Sequence, residues 1–219
     1  NDGVGGSVSQ TFTITVENTN DAPIITSTAK TTATEDQAYD YKIKATDVDA
    51  DASLTYEATQ KPDWLTFNES DRTFTGTPKN ADVGDHNVEI TVSDGEAGSV
   101  SQTFTITVEN TNDAPVLDTI DDITFDEDGS SGAITLSAND VDGDDLTYSV
   151  SGGTDIEASI VGSTLTLTPK PNFNGRENFT VTVSDGELSA TKDFTATVTP
   201  VNDAPVLDPI DDITFYEDG

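Results

Sequence analysis

Two runs of alternating aspartates, Asp47-Val-Asp49-Ala-Asp51 and Asp140-Val-Asp142-Gly-Asp144, carry the residue types best suited to chemistry in this chain. Short carboxylates at every second position converge on one centre when the chain turns. Such hard oxygen donors suit Ca2+, which takes about six to eight of them in irregular geometry, whereas Mg2+ demands a near-ideal octahedron. Transition metals need imidazole or thiolate ligands, and the chain has one His and no Cys. The runs also resemble the opening of a helix-loop-helix calcium hand. They lack its glutamate at the twelfth position and its flanking helices, so that reading is rejected. A lone run of this kind is most often a solvated turn. What gives these two weight is what recurs in register with them.

The charge balance points the same way. Against 42 acidic residues stand 9 basic ones, a net charge of -33. Phosphate backbones and anionic membrane surfaces attract the opposite sign, which excludes nucleic acid and direct membrane insertion as partners. The acids comprise 30 Asp and 12 Glu, and Asp is the residue that serves turns and calcium loops. Without cysteine no disulfide braces the fold, and a metal is the natural alternative cross-link in a small extracellular domain.

Internal repetition sets the organisation. Residues 7–23 and 99–115 are the same seventeen letters, SVSQTFTITVENTNDAP, and 115–125 returns at 205–215 with one change. The Asp-Ala-Pro triplets at Asp21, Asp113 and Asp203 are spaced 92 and 90 residues apart. A unit of that length is a whole domain and not a solenoid repeat. Without a starting Met, the chain reads as a segment of something longer. Residues 1–22 are expected to be the last strand of a preceding repeat, 24–113 repeat one, 115–203 repeat two, and 205–219 the first strand of a following repeat. Each linker centres on Ala-Pro, which is short and stiff.

Within each repeat, period-2 alternation rich in Thr and Val marks half-buried strands, as in Val88/Ile90/Val92 and Phe179/Val181/Val183. No segment has a helical period. The expected fold class is all-β, a tandem of immunoglobulin/cadherin-like seven-stranded Greek-key sandwiches. That topology puts the B–C loop, the F–G turn and the incoming linker at one end, the top. The end of strand A and the exit of strand G share the other, the base. Asp47, Asp49 and Asp94 then meet Asn20 and Asp21 at the top of repeat one. Asp140, Asp142 and Asp185 meet Asn112 and Asp113 at the top of repeat two. Glu35 and Glu127 lie at the base, as does Glu109, and Asn202 and Asp203 repeat the linker motif. With repeats stacked head to tail, Glu35, Glu109, Asn112, Asp113, Asp140, Asp142 and Asp185 are expected to share Ca2+ at one junction.

The linker Glu-Asn-Thr-Asn-Asp-Ala-Pro, the Asp-Val-Asp run, the Asp-Gly turn and the glutamate after strand A resemble the cadherin calcium motifs. Repeat one, with Trp64-Leu65-x-Phe67 and Phe74-x-Gly76-Thr77-Pro78, is similar to a dystroglycan-type cadherin-like domain. Repeat two, with Pro171-Asn172-Phe173-Asn174-Gly175, resembles the bacterial cadherin-like repeat of giant surface adhesins. The resemblance implies calcium at interdomain junctions of a secreted or surface-attached chain, exported by type I secretion and serving adhesion and biofilm attachment. Repeat one departs from the animal pattern, since Asp71-Arg72 is followed by Thr73 and not Glu, which implies fewer ions per junction.

Other chemistry finds little support. Trp64 with Tyr39, Tyr41 and Tyr56 could stack on a sugar, but Leu65 and Phe67 beside Trp64 mark it as core. His86 precedes a strand with no nucleophile in view, and no Gly-x-Ser-x-Gly elbow exists. A filled sandwich offers paired carboxylates no cleft, so no enzymatic activity is expected. The expected partners are neighbouring repeats, homotypic repeats or surface glycans. The rival reading is a carbohydrate- or partner-binding module of a surface protein or a secreted polysaccharide-degrading enzyme.

Overall fold

A computed structural model describes residues 4, 5, 7–49, 53–215 and 217. It divides the chain into two compact units, Asn1–Thr111 and Asn112–Gly219. In unit one, β1 (Ile24–Ile25), β2 (Thr32–Thr34), β3 (Tyr39–Lys42), β4 (Ala45–Thr46), β5 (Thr55–Gln60), β6 (Leu65–Asn68) and β7 (Thr73–Gly76) precede the long hairpin of β8 (Gly84–Ser93) and β9 (Ser99–Glu109). A single 3-10 turn, Asn80–Asp82, leads into that hairpin. Unit two repeats the order with β10 (Val116–Leu117), β11 (Ile123–Asp126), β12 (Ile134–Thr135), β13 (Ala138–Asn139), β14 (Thr147–Gly152), β15 (Ile156–Val161) and β16 (Thr164–Pro169). The hairpin of β17 (Gly175–Ser184) and β18 (Ser189–Thr199) completes it.

Each unit is a two-sheet sandwich. One sheet runs β2-β9-β8-β5 and its opposite β3-β7-β6; in unit two the orders are β11-β18-β17-β14 and β12-β16-β15. The alternation explains which residues close the core. Val88, Ile90 and Val92 of β8 are fully buried, as are Phe74 and Leu65 across the sandwich, while the residues between them face outward. Phe179, Val181, Val183, Leu165 and Leu167 do the same in unit two. Burying each such side chain is worth about 1.5–3 kcal/mol.

One feature of the first strand is not apparent from alternation. It is split: β1 pairs antiparallel with β4, and the chain then crosses to the other sheet, where β2 runs parallel to β9. β10 and β11 split in the same way against β13 and β18. The parallel pairing makes β2 and β9 end together, with Glu35 N–H donating to the Glu109 carbonyl at 2.9 Å. The letters shared by 7–17 and 99–109 behave differently in their two places. At 99–109 they form β9, flanked by β8 and β2, whereas 7–22 forms no strand and Phe12, Ile14 and Val16 are exposed. A strand-forming sequence becomes a strand only beside a partner edge. Residues 200–215 likewise form no strand.

Candidate metal centre

The top of each unit is assembled from three pieces of chain. In unit two the linker residues Asn112 and Asp113, the β13–β14 loop and the β17–β18 turn converge. Asp113 N–H donates to Asp142 Oδ2 at 2.7 Å, and Asn112 Nδ2 donates to Asp185 Oδ2 at 3.1 Å. Asp142 N–H in turn donates to Asp140 Oδ1 at 2.9 Å, so the loop folds back on its own first aspartate. Unit one repeats this set. Asp21 N–H donates to Asp49 Oδ2 at 2.7 Å, Asn20 Nδ2 to Asp94 Oδ2 at 2.9 Å, and Asp49 N–H to Asp47 Oδ1 at 2.9 Å. Asn18 Nδ2 adds a further bond to Asp49 Oδ1.

Backbone geometry explains the fixed aim of these groups. Asp94 and Asp185 open tight turns whose next residues, Gly95 and Gly186, have φ of 87° and 106°, a region that only glycine enters freely. Each aspartate then caps its own turn. Asp94 Oδ1 accepts the amides of Glu96 and Gly98 at 2.8 and 3.1 Å, and Asp185 Oδ1 those of Glu187 and Leu188 at 2.7 and 2.6 Å. The second oxygen of each is turned toward the linker asparagine.

The electrostatics are one-sided. Oxygens of Asp140, Asp142 and Asp144 lie within 4.8 Å of one another. Among the described residues the ion pairs are Lys30–Asp40, Lys79–Asp36 and Lys170–Asp155, none of them at either top. At such a separation like charges repel one another. Partial loss of water, followed by the neighbouring charges of Asp140, Asp142, Asp185 and Glu187, raises the pKa of Asp144 above the ordinary aspartate value. The hydrogen-bonded members go the other way. The Asp21 amide and then Asn18 lower the pKa of Asp49, and Asn20 followed by the Glu96 amide lowers that of Asp94. Burial opposes the charge of Asp185, but the amides of Glu187 and Leu188 with Asn112 Nδ2 outweigh it, so its carboxyl also titrates low. These carboxylates are thus held charged and aimed together.

One further pair of atoms tests whether the site fits an ion. Asp47 Oδ2 and Asp140 Oδ2 are buried and have no hydrogen-bond partner. A buried charged oxygen without a partner costs at least about 1–3 kcal/mol. It occurs at the same position in both repeats, on the first aspartate of the run, beside the carboxylates that the linker aligns. The donor set is all oxygen, irregular and anionic, which fits calcium.

The base of each unit holds one glutamate. Glu35 is 1% exposed and accepts the Thr111 amide at 3.1 Å. Glu127, 7% exposed, accepts the Val201 amide at 2.8 Å and the Asn174 side chain at 3.4 Å. Of the residues singled out from sequence, Asn20, Asp21, Asp47, Asp49 and Asp94 come together in unit one, and Asn112, Asp113, Asp140, Asp142 and Asp185 in unit two. Glu109 offers its carbonyl to Glu35 while its side chain is exposed. Asn202 and Asp203 are exposed, and the Asn202 side chain donates to the Asp203 carbonyl. Asp51 lies outside the described residues. Two contributors were not carried from the motifs into the expected ligand sets: Asn18, the first asparagine of Glu-Asn-Thr-Asn-Asp, and Asp144, the third aspartate of its run.

The aromatic residues form no platform. Tyr39, Tyr41 and Tyr56 are buried, and Trp64 packs on the core with its ring edge-to-face on Tyr39 at 5.8 Å. His86 is engaged by the Asp82 carbonyl at 2.6 Å and lies edge-to-face with Trp64.

Comparison with known proteins agrees with this architecture. Residues 22–109 match the family described as "Putative Ig domain", and residues 112–199 the family described as "Bacterial Ig domain". Chitinase A of Pseudoalteromonas piscicida is 35% identical over 88 residues, covering 38% of this chain and 11% of that protein. Among solved structures, human Protocadherin-24 EC1-2 has a TM-score of 0.55 at 16% identity, with 82% of this chain and 100% of that one covered. Human Mucin-like Protocadherin EC1-2 gives 0.52 at 19% identity, over 82% and 98% of the two chains. Residues 22–109 and 112–199 are therefore two immunoglobulin-like domains in tandem, the second matching a bacterial family, and both are similar in fold to cadherin repeats.

Proposed function

We propose that each domain binds Ca2+ at its top and that the ion stiffens a row of such domains in a large secreted or surface-attached protein. The observation that carries this reading is the twice-built set of linker amide, Asp-x-Asp loop and Asp-Gly turn, with a buried unpartnered oxygen on Asp47 and on Asp140. Asp47, Asp49, Asp94, Asn20 and Asp21 would hold the ion in domain one, and Asp140, Asp142, Asp144, Asp185, Asn112 and Asp113 that in domain two. The ion would supply the positive charge these oxygens lack. Because Asn20-Asp21 and Asn112-Asp113 belong to the linkers, binding would also fix the linker. Glu35, Glu109 and Glu127 are proposed to complete the junctions. Extracellular modules of this kind bind calcium with dissociation constants of about 10⁻⁴ to 10⁻³ M.

A stiff spacer suits an adhesin, where a distal group must be held away from a surface, and attachment of cells in biofilms is the proposed biological role. The match to a chitinase favours a second reading, a carbohydrate- or partner-binding module of a surface protein or a secreted glycan-degrading enzyme. No helix among the described residues is long and apolar enough to cross a membrane. Small-angle scattering with and without chelator tests the stiffening. A longer maximum dimension and narrower distribution in calcium supports it, and identical profiles would refute it. Chitin or surface-glycan pull-down by the isolated chain would favour the second reading.

A further inference from the structure

Residues 7–17 and 99–109 are the same letters in two different surroundings, and the second shows what the first is built to meet. β9 buries Phe104, Ile106 and Val108, whereas their counterparts Phe12, Ile14 and Val16 are 74%, 75% and 89% exposed. Every residue from 7 to 22 is exposed, and the segment joins neither sheet of domain one. The neighbours of β9 are explicit. Phe104, Ile106 and Val108 stand opposite Val88, His86 and Gly84 of β8, while Thr107, Val108 and Glu109 run parallel to Thr32, Ala33 and Thr34 of β2. Gln102 accepts the Tyr41 hydroxyl at 2.8 Å and donates to the Ser27 carbonyl at 3.2 Å. The matching Gln10 is exposed.

Domain one cannot take up this second strand itself. Its position for such a strand holds β9, and the linker is too short for an exchange. Ala22 stands at the start of β9, where a Cβ on Gly98 would come within 2.8 Å of the Ala22 Cα. In the place of β9, Glu17 would lie at the far end of the strand, about 33 Å away. The stretch from Glu17 to Ala22 reaches about 18 Å at most. An intact second copy is a poor partner too, because its own β9 competes from the same chain at a high effective concentration. A body of the domain-two type offers the wrong shape. Its last strand has Ala196 opposite Glu177 where β9 has Ile106 opposite His86, and both Ala196 and Ile106 are fully buried. It also has Lys192 where β9 has Gln102. Ile14 would be forced into a core closed around a methyl group.

We infer that residues 7–17 are a donor strand for an immunoglobulin-like body of the domain-one type that lacks its own last strand. The segment enters between a β8-like and a β2-like strand in the register of β9, burying Phe12, Ile14 and Val16 and giving Gln10 its tyrosine and carbonyl partners. Main-chain ladders supply affinity and the alternate side chains supply specificity. Of the two domain types in this chain, the strand completes only the first. Pairing of this kind needs no metal, so it stands apart from the calcium reading.

The test mixes the full chain, in chelator, with two probes, residues 22–98 and 114–188, which are domains one and two without β9 and β18. Native mass spectrometry should show an equimolar complex with the first probe, with a dissociation constant of about 1 μM or below. Binding of the second probe should be at least about tenfold weaker. Ile14→Asp should weaken the first complex at least about a hundredfold, and since Ile14 is exposed in this chain the variant folds unchanged. Thr13→Asn, whose counterpart Thr105 is exposed on β9, should stay within about twofold. If the first probe is insoluble alone, refolding it from urea together with the full chain should recover the same complex. No complex by either route, a complex indifferent to Ile14→Asp, or equal binding of the two probes would overturn the assignment.

Discussion

The Asp113 amide donates to Asp142 Oδ2 at 2.7 Å, and 92 residues earlier the Asp21 amide donates to Asp49 Oδ2 at the same distance. A linker residue thereby holds a loop carboxylate at the top of the domain it leads into, in both domains. Asp142→Ala should lower the calcium affinity of domain two about tenfold or more by removing a charged ligand. Asp155→Ala removes a carboxylate that is paired instead with Lys170 at 3.0 Å, and should leave affinity unchanged. Isothermal titration of both variants checks the contrast.

Calcium should raise stability by mass action. At a hundredfold excess over its dissociation constant an ion adds about 2.7 kcal/mol, a sizeable share of the stability of a small domain. Calorimetry in millimolar calcium against chelator should show an upward shift for both domains. In Asp140→Asn with Asp142→Asn, the domain-two component should lose its shift while that of domain one keeps it.

Glu177 provides a pH test away from the candidate metal centre. Its carboxylate accepts the amides of Thr154, Asp155 and Ile156, at 3.0, 3.0 and 2.9 Å at the closest. Burial works against its charge, but these three donors outweigh it and hold its pKa below the ordinary glutamate value. Because the folded value is depressed, the stabilisation is full above the unfolded pKa of about 4.3 and is lost as pH falls through the folded value. Because solvent screens this carboxylate, Glu177→Gln should cost at most about 1 kcal/mol at pH 7, with the difference from wild type shrinking below about pH 4. Urea melts of both proteins at the two pH values measure it.

Packing in domain one can be read through its single tryptophan. A Cβ on Gly76 would sit 2.3 Å from the Trp64 carbonyl oxygen and 2.9 Å from its ring, a clash with backbone that no rotamer relieves. Gly76→Ala should destabilise domain one by about 2 kcal/mol or more and shift the Trp64 emission, leaving the unfolding of domain two unchanged. In domain two, Phe179→Ala should cost about 3–5 kcal/mol and spare the Trp64 signal.

Much of this was legible in the sequence, for identifiable reasons. The period-2 pattern of Val88, Ile90 and Val92 or of Phe179, Val181 and Val183 has one solution in a two-layer sandwich, so strands and core followed. The convergence of Asp49 with Asp21, and of Asp142 with Asp113, followed because Greek-key topology puts those loops at one end. The split of the first strand was not legible. Ser27–Lys30 and Ile120–Asp122 carry no breaker that marks a change of sheet, and only the parallel partner β9 or β18 dictates it. Nor was the shelter of Glu177 readable, since its three amide donors come from a turn more than twenty residues earlier. The strand state of 7–17 was also beyond the letters, because the same letters form β9 at 99–109.

The most direct test of the central claim is calcium titration of the chelator-stripped chain, with Asp47→Asn/Asp140→Asn as the paired control. Each substitution alters the buried unpartnered oxygen of one domain. The account predicts at least one site per domain, with dissociation constants of about 10⁻⁴ to 10⁻³ M, and loss of both in the double variant. Absence of saturable binding at millimolar calcium, or binding that survives unchanged in the double variant, would contradict it.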